Sequence, residues 1–205
     1  MTQRIRRQPW PYRAIDALAA ERAEAIAARL APWLPDGPLL DVGSGTGHNA
    51  EAIRSLTGAQ VLETDIADFH RRGPGPRISR GGQIPFKTGE FAAALALHVL
   101  QYPADPAALL HEMARVSRGR ILVLQTVGAR PAMAINEWVG TPGAFLASRW
   151  IGYIPPRRCT VWPRRLFPPS SLERLARGWG FKARRLERGL TWGLRDDLYA
   201  LEPLR

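Results

Sequence analysis

The apolar positions change period several times along this chain, and each change marks an element. Ile15, Leu18, Ile26, Leu30 and Trp33 recur at helical spacing, with Glu21, Arg22 and Glu24 mostly turned away. They predict an amphipathic helix from Ala14 to about Trp33. Pro35-Asp36-Gly37-Pro38 breaks that period. The short run Leu39 to Val42 then reads as a buried parallel strand. Gly43, Gly45 and Gly47 follow at every second position, and Ala50, Ile53 and Leu56 return to helical spacing. Further on, Pro168-Pro169-Ser170-Ser171 opens a helix carrying Leu172, Leu175 and Trp179 on one face, which Gly178 and Gly180 end. Phe181 to Glu187 and Thr191 to Leu201 read as a closing antiparallel pair, with a turn at Arg188-Gly189.

Strand, glycine turn and helix together form the opening unit of a nucleotide-binding α/β sheet. A dinucleotide fold asks for G-x-G-x-x-G, so that a pyrophosphate meets the helix N-terminus. Here the third glycine comes one residue early, at Gly47, and His48 stands where that glycine is expected. Asp41 sits two residues before the first glycine. A carboxylate there suits a ligand with a cationic amine better than a phosphate, and glycines let the backbone pass close to it.

The stretch Leu39-Leu40-Asp41-Val42-Gly43-Ser44-Gly45-Thr46-Gly47 resembles the first motif of the class I S-adenosylmethionine (SAM)-dependent methyltransferases. Four further features resemble the same family, in family order, up to residue 125. Val61 to Ile66 looks like its second strand, which ends in an acid that holds the ribose hydroxyls. Asp65 matches that acid, and Glu63, mid-strand, is the competing candidate. Gln83-Ile84-Pro85-Phe86 resembles the family's LPF turn, and Phe91 to Leu100 its fourth strand and the loop beyond. Leu109 to Val116 followed by Gly119 to Leu124 resembles its helix LLxEMARV and fifth strand GRILVL. The similarity points to the methyltransferase type 11 branch, with the ubiquinone/menaquinone-type enzymes.

The resemblance implies a Rossmann-like α/β fold: a seven-stranded, mostly parallel sheet with an antiparallel last strand and helices on both faces. It implies SAM as cofactor, held by Asp41, Gly43, Ser44, Gly45, Gly47, Asp65, Ile66, Gly82, Gln83 and Leu97. His98, just past the fourth strand, is the candidate catalytic base; the alternative is a neutral histidine lining the pocket. Residues 1–34 would form a helical lid on a single domain spanning 1–205, with Tyr12 or Trp10 shielding the cofactor or simply packing at the helix edge. The chain departs from the family in three places. Gly73, Pro74, Gly75 and Pro76 leave little room for a helix between the second and third strands, and the third strand is expected to be short, around Arg77 to Ser79. Arg80 replaces the acid that meets the adenine amine, and a guanidinium cannot accept a hydrogen bond. Ala92 replaces the aspartate at the start of the fourth strand. The last two departures raise the alternative of a catalytically weak scaffold that kept the fold.

Residues 126–168 are too long for an ordinary connection and read as an inserted cap over the substrate. Trp138, Trp150, Tyr153 and Trp162 stand there beside Arg149, Arg157, Arg158, Arg164 and Arg165. Such a mixture fits an apolar small molecule with an acidic group, a membrane surface or RNA. The chain carries 29 basic against 18 acidic residues, and all the basic ones except Lys87 and Lys182 are arginine. This favours an anionic partner or reflects only a compositional bias. The expected acceptor is a small, largely apolar molecule of quinone, lipid or secondary-metabolite type. RNA is the less favoured alternative, because the loop after the fourth strand lacks the [D/N/S]-P-P-[Y/F] motif. No metal site is expected from four scattered histidines and the single Cys159. One cysteine allows no intrachain disulfide, which fits a cytoplasmic protein. Acidic and basic residues interrupt any signal-peptide core, and no apolar run is long enough to span a membrane.

Overall fold

The computed structural model describes residues 10–128, 167–168, 171–191 and 194–204. Helix α1 (Trp10–Leu30) and a short 3-10 turn (Ala31–Trp33) lead into β1 (Leu39–Val42), α2 (His48–Thr57), β2 (Val61–Asp65) and β3 (Arg77–Ile78). There follow β4 (Ala93–Leu97), α3 (Pro106–Val116), β5 (Ile121–Thr126), α4 (Ser171–Gly178), β6 (Phe181–Thr191) and β7 (Leu194–Pro203). Together the strands make one sheet in the order β3-β2-β1-β4-β5-β7-β6. Strands β1 to β5 run parallel, and β7 pairs antiparallel with both β5 and β6. This is the seven-stranded Rossmann-like sheet expected from the sequence, with the last strand, β7, running against the other six.

Both faces of the central strands are covered, which explains their unbroken apolar runs. Leu39, Val61, Leu95, Leu122 and Leu198 face α1 and α2, where Ile26, Leu30 and Ile53 pack on them. Leu40, Ala94, Val123 and Tyr199 face α3 and α4, meeting Leu110, Met113, Leu172 and Ala176. Residues alternate along a strand, so Asp41 shares the α1/α2 face with Leu39, and Glu63 and Asp65 share it with Val61. Three acids thus enter the same layer near the carboxyl ends of β1 and β2.

Local chemistry sets the ends. Asp105 caps α3 by accepting the Ala108 N–H at 3.0 Å, with Pro106 in the first turn. Gly58, at φ +71°, closes α2 and donates to the Arg54 carbonyl. The Glu112 and Arg115 of the LLxEMARV-like helix prove structural. Glu112 accepts the Ile84 N–H at 3.0 Å, and Arg115 donates to the Phe86 and Ile84 carbonyls at 2.9 and 3.0 Å. The pair clamps the LPF-like turn onto α3, and the Arg115 guanidinium holds the Glu112 carboxyl below its ordinary range.

Three boundaries differ from the sequence reading. Helix α1 begins at Trp10, and its buried stripe is Ala23, Ile26, Ala27 and Leu30, while Leu18 and Trp33 are largely exposed. Strand β6 runs straight through Arg188 and Gly189, which pair with Asp197 and Asp196; the reversal lies between Thr191 and Leu194. A bulge between Arg185 and Glu187 absorbs the phase change that reads as a turn in sequence. The third strand is two residues long and no helix forms over 66–76, as the glycines and prolines require. The described residues on either side of 129–166 meet where the Gly128 N–H donates to the Phe167 carbonyl at 3.2 Å. Most of the expected cap, with its aromatics and arginines, lies outside the described residues, as do residues 1–9. Among the described residues strand β6 pairs only with β7, and it exposes Lys182, Arg184 and Arg188.

Candidate functional site

The glycine loop joins β1 to α2 at the carboxyl edge of the sheet, beside the change of strand order between β1 and β4. Open parallel sheets bind ligands at such a point. Gly43, Gly45 and Gly47 all have positive φ, at 74°, 55° and 83°. They do different jobs. A Cβ on Gly43 would lie 2.7 Å from Val99 Cγ2, and one on Gly47 would lie 2.4 Å from the Arg72 carbonyl oxygen. These two are required by the chain's own packing. A Cβ on Gly45 would meet nothing within 4 Å, so this glycine faces open space. Gly81 and Gly82 are equally open and form a tight turn in which the Gln83 N–H donates to the Arg80 carbonyl at 3.2 Å. Gly82, Gln83 and Ile66 are exposed, while Ser44 and Leu97 are buried.

Asp41 is 1% exposed, and neither carboxylate oxygen has a hydrogen-bond partner. Burial, aided by the neighbouring Glu63 and Asp65, raises its carboxyl to about 8. Glu63, its neighbour across the ladder, is ion-paired with Arg54, and its Oε1 lies 3.0 Å from His70 Nε2. Glu63 is therefore occupied within the protein and does not compete with Asp65. Asp65 Oδ2 accepts the Gly45 N–H at 2.8 Å and Oδ1 accepts the Ile66 N–H at 2.7 Å. Burial raises the Asp65 carboxyl while these backbone donors pull it down. The Ala67 N–H is a third backbone donor to this carboxylate, which leaves one acceptor position for a further donor. The aspartate thus shapes the loop as well as facing the site.

Two histidines without an assigned role in the sequence are built into this loop. His48 Nδ1 lies 2.8 Å from Thr46 Oγ1 and Nε2 lies 3.0 Å from Asp16 Oδ1, so α1 is tied to the loop. Burial lowers the His48 pKa despite the Asp16 carboxylate. Asp16 also pairs with Arg72, whose N–H, like that of Arg71, donates to the Thr46 carbonyl. His70 Nε2 lies 3.3 Å from Ser44 Oγ. The irregular 66–76 stretch carries no period, so nothing in the sequence signals that it folds back on the loop. Of the two aromatics near the start of α1, Tyr12 is buried and Trp10 is 73% exposed. The packed one is Tyr12.

His98 follows β4 with φ at +58°, unusual for a residue with a Cβ, and this turns its ring back toward β5. Its Nδ1 lies 3.1 Å from Thr126 Oγ1, and its Nε2 lies 3.6 Å from Asp196 Oδ2. Burial, helped by the charges of Arg22 and Arg29, holds its pKa well below the ordinary value. The imidazole is neutral near pH 7, and a proton arriving at Nε2 would find the Asp196 carboxylate nearby.

Of the two departures raised as grounds for a scaffold, Ala92 is distant from this edge. Ala92 precedes β4 at its amino end, where its Cβ lies 3.1 Å from the position of a Cβ on Gly37. Arg80 is exposed, leaving backbone groups of the 80–83 turn at the site. One cleft runs between α1 and α2 and reaches His48 and Arg72 behind the glycine loop, and another lies around Arg77 and Phe86 and reaches Gln83. Among the described residues no cluster of side chains could hold a metal ion, and no helix is long and apolar enough to cross a membrane.

Residues 12–186 match the family described as a methyltransferase domain. Ubiquinone biosynthesis O-methyltransferase of Xanthomonas oryzae pv. oryzae is 29% identical over 143 residues, 63% of this chain and 59% of that protein. The chain thus spans about half the length of the curated relatives it matches. Among solved structures, the Haloferax volcanii methyltransferase in complex with the Trm112 methyltransferase activator aligns at TM-score 0.62 and 12% identity, covering 95% of this chain and 93% of that one. Magnesium protoporphyrin IX methyltransferase from Synechocystis, with bound S-adenosylhomocysteine (SAH), aligns at 0.54 and 15%, covering 98% and 92%. The chain belongs to the methyltransferase domain family.

Proposed function

We propose that this member of the methyltransferase domain family methylates a small, largely apolar acceptor of quinone, lipid or secondary-metabolite type. The observation that carries the cofactor end is the unpartnered Asp41 carboxylate beside the open face of Gly45. Buried acid without a counter-charge suits a cationic ligand, and a glycine with nothing opposite it suits close approach. The bound cofactor supplies a methyl already activated by a sulfonium. Asp41 would release its proton to solvent and answer the positive charge of the amino acid portion, the glycine loop and Ser44 would line it, and Asp65 would offer its remaining acceptor position to the ribose. Ile66, Gly82, Gln83 and Leu97 enclose the adenine end, with backbone groups of the 80–83 turn in place of the missing acid.

His98 would take the acceptor's proton at Nε2, with Thr126 fixing the ring through Nδ1 and Asp196 steadying the charge. Its neutral state near pH 7 supports that role. Helix α1, the described part of the lid expected over 1–34, would cover the cofactor. Relatives named for ubiquinone biosynthesis and for magnesium protoporphyrin IX support an acceptor of this size and character.

Calorimetric titration with SAM and SAH tests the reading. The expected result is binding by the wild type that weakens at least about tenfold in Asp65→Asn. Asparagine keeps the size of the side chain while removing one acceptor oxygen. Absence of wild-type binding would return the protein to the scaffold alternative.

A further inference from the structure

Helix α1 crosses the carboxyl edge of the sheet and touches the site at two places. Near its start Asp16 meets His48 behind the glycine loop. Near its end Arg29 donates to Glu187 at 2.7 Å and to the Asp196 carbonyl at 2.9 Å. Arg22 lies between them. It precedes Ile26 by four residues and Arg29 by seven, which puts all three on one side of the helix. Ile26 is 1% exposed and packs with Leu97, Leu124 and Leu198. Arg22 therefore extends the buried stripe toward the start of α1, and it is close enough to His98 for its charge to act on the imidazole.

Arg29 has its counter-charge in Glu187. Arg22 is half-buried and, among the described residues, makes no hydrogen bond or ion pair. A guanidinium stays charged at every relevant pH, and sheltering it without a partner is costly. Its position on the His98 side of α1, rather than beside the glycine loop, puts that unanswered charge over the acceptor.

Resting on the methyltransferase reading, we infer that Arg22 is a specificity-determining residue that holds an anionic group, a carboxylate or phosphate, of an otherwise apolar acceptor. The guanidinium fork would anchor that group while the accepting atom lies against His98.

The test uses the full chain saturated with SAH. Benzoate and hexanoate are titrated against it calorimetrically, each beside its neutral amide. At least one acid is expected to bind about tenfold tighter than its amide, with Arg22→Gln narrowing that ratio to about twofold. Arg22→Lys, which keeps the charge and the helix, is expected to retain most of the preference. No preference in the wild type, or one that survives Arg22→Gln, overturns the inference. A loss of SAH binding in Arg22→Gln would put the side chain on the cofactor's own carboxylate and overturn it too. Wild-type protein that takes up no SAH overturns the methyltransferase reading beneath it.

Discussion

Asp41 and Glu63 stand opposite each other on adjacent parallel strands, and only Glu63 has a cation. Arg54 on α2 reaches Glu63 and also donates to the Val61 carbonyl. The Asp41 carboxylate is left to burial and to its acidic neighbours. Two equivalent ladder positions thus acquire opposite roles, one a strut beneath the loop and one a site for incoming positive charge.

The pH dependence of stability follows from this difference. The Asp41 carboxyl rises from an ordinary 3.8 to about 8, so the folded protein holds a proton that the unfolded chain releases. Its contribution is favourable at low pH and is lost as pH rises through this window. Asp41→Asn should remove that loss. Urea unfolding at about pH 6 and pH 9 should show the variant gaining on the wild type by on the order of a few kcal/mol at the higher pH. Parallel curves would mean that the carboxylate is compensated.

The three loop glycines should separate by experiment. Gly47→Ala meets the Arg72 carbonyl and should lower stability by about 3 kcal/mol or more in thermal unfolding. Gly45→Ala has room and should cost about 1–2 kcal/mol from its backbone conformation. It should instead weaken SAH binding in calorimetry. A folded Gly45→Ala that binds SAH normally would remove Gly45 from the cofactor surface.

Asp16 joins α1 to the glycine loop through His48 and Arg72. Asp16→Ala leaves a buried imidazole and a guanidinium without this carboxylate and should destabilise the protein by about 2–4 kcal/mol. Hydrogen exchange should quicken first in α1 and in 66–76. Uniform acceleration across the sheet would count against a local tie.

For His98, the depressed pKa predicts a methylation rate without an inflection near pH 6.5, because the ring is already neutral below that value. His98→Asn suits the positive φ and should keep SAH binding while lowering kcat about 100-fold or more. An unchanged kcat would make His98 a wall of the pocket.

Much of the architecture was legible because its signals are local. The glycine spacing after Leu39-Leu40-Asp41-Val42, the runs at 61–66 and 121–124, and the break over Gly73 to Pro76 each follow from short-range chemistry. Misreadings arose where tertiary contacts decide. Gly189 looks like a turn residue, but the bulge near Leu186 and the ladder to Asp196 carry β6 through it. His48 and His70 have no motif, and only the return of 66–76 onto Thr46 brings them to the loop. Asp65 ends β2 as its spacing from Gly43 suggests, yet its bonds to Gly45 and Ile66 depend on a loop shape that no spacing encodes. Arg22 and Asp196 come from opposite ends of the chain and meet His98 only in three dimensions.

The exposed edge of β6 bears on the chain's excess of arginine. An unpaired strand edge is a template on which another copy can add a strand. Lys182, Arg184 and Arg188 line this edge, so two molecules approaching edge to edge bring like charges together. Part of the net +11 charge would thus repel a second copy approaching this edge, which no described strand covers. That share of the positive charge needs no nucleic acid or membrane to account for it.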